Sequence, residues 1–116
     1  MSEDKDKNHI EKLYKYANSP VSSVREIAAE DPDTPAELLI KLAKDEDELV
    51  VYDVATNPST PIDILEDFSI NASSFIKLGL LQNEKISDEI LQRLKKDKDE
   101  SIAYAAEEFE KDKQDN

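Results

Sequence analysis

The heptapeptide Ala29-Glu30-Asp31-Pro32-Asp33-Thr34-Pro35 returns as Ala55-Thr56-Asn57-Pro58-Ser59-Thr60-Pro61, at an offset of 26 residues. The same offset aligns Leu13, Leu39, Leu65 and Leu91, then Tyr16, Leu42, Phe68 and Leu94, then Val24, Val50, Ile76 and Ile102. A period of this length, held over several copies, is the signature of stacked structural repeats. Side chains at one phase must then face the same way on successive layers.

Breaker residues divide each unit in two. Ser19, Asp45, Asn71 and Asp97 share one phase, and all four are good N-cap types. At the other junction the pattern places Thr34 as N-cap, Pro35 at N1 and Glu37 three residues on, closing a capping box. Thr60-Pro61-Ile62-Asp63 repeats the first two devices, and Ser87 is the expected cap of the third copy. Asp45 with Glu48, and Asp97 with Glu100, also have capping-box spacing. Apolar residues at helical intervals fill the stretches between, as in Ile10, Leu13, Tyr16 and Ala17. Each unit therefore reads as two short helices, neither long enough to be stable alone, so packing between units must supply the stability.

The expected fold is all-α: a short α-solenoid of about four 26-residue two-helix repeats over residues 9–109. Residues 1–8 and 110–116 read as charged, aperiodic tails. The last unit departs from the pattern, with Phe109 standing where earlier units carry Asp31 and Asn57. An atypical end unit is what a capped array needs, so the chain reads as a complete small protein.

Charge separates the possible partners. The formal net charge is −13, and residues 24–75 hold three basic against thirteen acidic side chains. Sequence-independent nucleic-acid binding needs cations against phosphates, so direct binding to nucleic acid or to an anionic membrane is not expected. A single Gly and five Pro leave little turn chemistry for hairpins. The absence of Cys excludes disulfides and thiolate metal sites. Met1–Lys7 has no apolar core of a signal peptide, and the longest uncharged run, nine residues as in Phe68–Ile76, is too short to span a bilayer. A soluble, cytoplasmic monomer is the expected state.

The string from Val24 to Asp45, V-R-x-x-A-A-x-D-P-x-T-P-x-x-L-L-x-x-L-A-x-D, resembles the leucine-rich repeat variant family. The resemblance covers about residues 10–108 and is strongest in the copies containing Pro32 and Pro58. It implies a right-handed superhelix of paired helices, distantly like HEAT and armadillo arrays, and it implies no reaction. This chain lacks the Cys that hold a cluster in some members. The family's Arg after the first Val survives only as Arg25, with Val51, Lys77 and Ala103 at the equivalent positions.

No catalytic, cofactor-binding or metal-ligating residue is assigned. His9 is the only His, at the start of the first helix, and reads as a solvated surface residue. The run Asp45-Glu46-Asp47-Glu48 lacks the Gly and the alternation of a calcium loop. Two surfaces remain. Glu26, Tyr52, Leu78 and Tyr104 share one phase, about 200° round the helix from the Val50 stripe. Tyr52, Leu78 and Tyr104 form either a contact strip for a partner or, for Tyr52, a seam filler against the next unit. The second surface is an acidic zone: Glu30, Asp31, Asp33 and Glu37 at one turn, Asp45, Glu46, Asp47 and Glu48 at the other, then Asp63, Glu66 and Asp67, the two turns lying at opposite edges of a repeat. It is a band more than a pocket, and either docks a basic segment or only solubilises. The expected function is a non-enzymatic protein–protein interaction module that docks a basic or amphipathic protein segment. The alternative is an acidic decoy that imitates nucleic acid and inhibits a nucleic-acid-binding protein.

Overall fold

The computed structural model describes residues 2–115 and contains eight helices: α1 (Ser2–Ala17), α2 (Ser22–Glu30), α3 (Ala36–Leu42), α4 (Glu48–Thr56), α5 (Ile62–Asn71), α6 (Ser74–Leu80), α7 (Asp88–Lys95) and α8 (Glu100–Asp115). No strand occurs among the described residues. Helix α2 packs on α1 and α4, α4 on α6, and α6 on α8, which makes one row. On its other side α1 touches α3 and α5 touches α7, and α3 packs on α4, α5 on α6 and α7 on α8. The molecule measures 45 × 32 × 20 Å.

Phase decides burial. Leu13, Leu39, Leu65 and Leu91 are all at most 3% exposed, so all four belong to the core. Val50, Ile76 and Ile102 are buried at their shared phase, and so are Leu42, Phe68 and Leu94. Each such side chain contributes about 2 kcal/mol of apolar burial. Short helices of seven to ten residues, such as α3 and α5, depend on that burial.

The helix ends differ from the sequence expectation by one or two residues, and the reasons are chemical. Asp45 does not cap α4; Asp47 does, its side chain accepting from Leu49 N at 2.9 Å. The Asp45 carboxylate accepts from Asp47 N instead, an Asx-turn that leads into the cap. Asp97 does the same for Asp99, and Asp99 accepts from Ser101 N. Glu48 closes no capping box with Asp45. At the other junction Pro35 and Pro61 are the N-cap residues, and Glu37 makes no box. Thr34 and Thr60 are buried and turned back, each donating its hydroxyl to a carbonyl of the preceding helix, Ala28 O and Val54 O. Ser19 accepts from Val21 N, and α2 begins only at Ser22. Ser87 caps α7 as expected, accepting from Ile90 N.

The ends differ too. Helix α1 starts at Ser2 and α8 continues to Asp115, where the sequence reads as tails at 1–8 and 110–116. Glu and Lys are good helix formers, and extending a nucleated helix costs far less than starting one. Phe109 has no side-chain acceptor with which to turn the chain, so α8 runs on for 16 residues where α2 and α4 stop at nine.

Candidate functional site

Three elements of surface are built on this frame. The first is an edge of buried amides that the sequence reading passed over. Asn57 lies 1% exposed, and its Nδ2 donates to Ala29 O at 2.8 Å and to Asp31 O at 2.9 Å. Asn83, 26 residues on and fully buried, donates to Ala55 O and Asn57 O at 2.9 and 3.0 Å. Both side-chain oxygens close an Asx-turn, on Ser59 N and Lys85 N. Asp31 keeps the turn, accepting from Asp33 N, but has no amide to donate. Asn57 thus satisfies orphan carbonyls at the end of α2, and Asn83 those at the end of α4. The signal was available: Asp31, Asn57 and Asn83 share the repeat phase.

The second is the ladder of Tyr52, Leu78 and Tyr104. The three line one groove of about 490 Å³ with Leu81, Ala105 and Phe109. Their exposures differ: Tyr52 is half-buried, Leu78 is 40% exposed and Tyr104 is 68% exposed. The Tyr52 ring stacks on Phe75 at 4.6 Å between centroids. It lies so close to Gly79 that a Cβ there would come within 3.1 Å of the ring. The one glycine in the chain therefore makes room for Tyr52. Tyr52 fills the α4–α6 seam, and Leu78 and Tyr104 stand free of it.

The third is the acidic zone, which the structure breaks up. Asp45 pairs with Arg25, Nε to Oδ2 at 2.7 Å and Nη2 to Oδ1 at 3.1 Å, and Arg25 Nη1 donates to Ser19 O. Burial raises the Asp45 pKa, but the Arg25 hydrogen bond and the Asp47 N–H outweigh it and the net direction is down. Asp47 is spent on the α4 cap. Glu46 and Glu48 flank the start of α4 and Asp67 lies in the C-terminal half of α5, so the three share one turn edge and line a cleft of about 310 Å³ with Asp45. Asp63 is exposed beside the α5 start, and Glu66 contributes its backbone carbonyl to Ser69 Oγ; neither lines this cleft.

Two charged clusters lie outside these surfaces. His9 is not simply solvated, since its Nε2 lies 3.2 Å from Asp31 Oδ2 and 3.4 Å from Asp33 Oδ2. Between α2 and α4, Asp53 Oδ2 is buried with no donor among the described residues. Desolvation, then Glu26 beside it, then the charges of Glu30 and Asp47 push Asp53 up to about 7.

No helix among the described residues is long and apolar enough to cross a membrane. Comparison of the chain with family models, curated proteins and solved structures gives no match.

Proposed function

We propose that this chain is a short right-handed α-solenoid of the leucine-rich repeat variant type, acting as a non-enzymatic interaction module for a basic or amphipathic protein segment. About four two-helix units make the scaffold, and its job is to present side chains. The carrying observation is that Leu78 and Tyr104, one repeat apart, reach solvent along a groove also lined by Leu81 and Phe109. Monomers seldom leave large apolar side chains in register on one face without use for them, and Tyr is favoured at interfaces. The acidic surface around that groove steers a cationic partner at low salt.

The test is capture of partners on immobilised protein, comparing the native chain with Leu78→Asp/Tyr104→Asp, at low and at high salt. Loss of a captured protein in the double variant, with helix content unchanged, supports the reading. Identical capture by both removes it. The decoy alternative is favoured by the run from Asp45 to Ile76, which holds no Lys, Arg or His. Under that reading binding competes with DNA and collapses as salt rises.

A further inference from the structure

One edge of the molecule carries the same cleft three times, at the junctions that lead into α2 and α4, α4 and α6, and α6 and α8. The first is lined by Arg25, Lys41, Lys44 and Asp45. The third is lined by Lys77, Arg93, Lys96 and Asp97, which are the same four positions two repeats further on. Both are closed by an ion pair of identical spacing: Arg25 on Asp45, and Lys77 on Asp97, each at 2.7 Å. Lys41 and Arg93 add hydrogen bonds across the cleft, to Asn18 Oδ1 and to Ser69 Oγ.

The middle cleft breaks this rule at every position. Its counterparts are Val51, Asp67, Ile70 and Asn71. All three cations have gone, one of them replaced by an acid. What remains is a cleft lined by the apolar Val51, Phe68, Ala72 and Ile76 and by the carboxylates of Glu46, Glu48 and Asp67, with Asp45 also in its wall but already paired to Arg25. Asn71 Nδ2 holds Asp67 Oδ1 at 2.8 Å, and Ser73 Oγ lies 3.1 Å from Glu48 Oε2. These neutral partners orient the carboxylates without cancelling their charge. A lining of methyl and ring carbons together with carboxylates matches a Lys or Arg side chain, whose stem is apolar and whose head is cationic.

We infer that the middle cleft takes in trans the cation its two neighbours supply in cis: a Lys or Arg side chain of a basic partner peptide. This deepens the interaction reading above and rests on it. The neighbouring clefts show how a cation is held at this edge, and the missing one leaves a vacancy of complementary charge.

The test is titration of isotope-labelled full-length chain with the capped pentapeptide Lys-Leu-Arg-Leu-Lys, followed by amide chemical shifts. Shifts should concentrate at Val51, Asn71 and Ile76, and Glu48→Gln/Asp67→Asn should weaken binding by about tenfold or more. Glu84→Gln/Glu89→Gln, which removes equal charge elsewhere, should stay within about twofold of the native chain. Val51→Arg restores the cis cation. It should abolish peptide shifts at the cleft while the thermal midpoint holds or rises. Unchanged affinity in Val51→Arg overturns the inference. Shifts confined to the Leu78 and Tyr104 face also overturn it, and leave the interaction reading standing. No shift anywhere overturns both for basic segments.

Discussion

The two turn edges of this molecule use the same repeat in opposite ways. At one edge Asn57 and Asn83 do the same thing with the same atoms, each donating to two carbonyls of the unit before it. At the other edge the phase is kept while the chemistry changes, from Arg25 and Lys41 to Val51 and Asp67 and back to Lys77 and Arg93. A position that repeats its chemistry is satisfying a backbone that repeats its shape. A position that keeps its place and changes its chemistry is free of that duty. The first edge fastens one unit to the next with the same atoms each time, and the second carries the cleft proposed above for a basic peptide.

The comparison breaks first at the amides. Asn83→Ala leaves Ala55 O and Asn57 O buried without a donor, and should cost about 3 kcal/mol in urea unfolding. A loss of only a few tenths would make the two edges equivalent. Next comes the ladder, which the structure divides. Tyr52→Ala removes the ring stacked on Phe75 and empties the space over Gly79, for a loss of about 2 kcal/mol. Tyr104→Ala should stay within about 0.5 kcal/mol. Equal losses would return both residues to a single environment.

Smaller than the Tyr52 loss is the titration of Asp53. Its folded pKa is raised to about 7, so the folded chain holds a proton that the unfolded chain releases near the ordinary carboxylate value. Stability from this group is full below about pH 4 and falls as pH rises towards 7. Asp53→Asn should therefore stabilise by about 1 kcal/mol at about pH 8 and by little at about pH 4, the full linkage value being reduced by solvent screening. Asp99 runs the other way. The Ser101 and Ser74 hydroxyls and the Ser101 N–H hold it down to about 2, so its contribution is present above the usual carboxylate range and is lost as pH falls towards 2. Thermal midpoints of Asp53→Asn and Asp99→Asn across that range check both signs. The smallest effect on folding belongs to the middle cleft, where Glu48→Gln/Asp67→Asn should move stability by less than about 0.5 kcal/mol.

Much of the frame was legible in the chain. Leu13, Leu39, Leu65 and Leu91 are buried alike because a fixed interval returns each to the same face of a helix, and periodicity is a property that sequence states directly. Helix termini were less legible. Asp45, Asp47 and Thr34 are all acceptable cap residues, and which of them caps depends on where the neighbouring helix offers a carbonyl or a cation. Thr34 turns away to Ala28 O, and Asp45 to Arg25. Tyr52 was ambiguous for a related reason: its helical angle separates it from the Val50 stripe, but only the α6 backbone, with Gly79 at the contact, shows what lies there. The clefts were written in the sequence as phase-matched charge, yet a surface built from the last turn of one helix and the first turn of another is assembled by the fold.

Calorimetric titration of the same pentapeptide into Asn83→Ala and Val51→Arg, each held well below its unfolding temperature, tests the division of labour most directly. The account predicts that Asn83→Ala binds within about twofold of the native chain despite its lower stability, and that Val51→Arg stays fully stable and loses at least about tenfold in affinity. Affinity that follows stability across the two variants would contradict it.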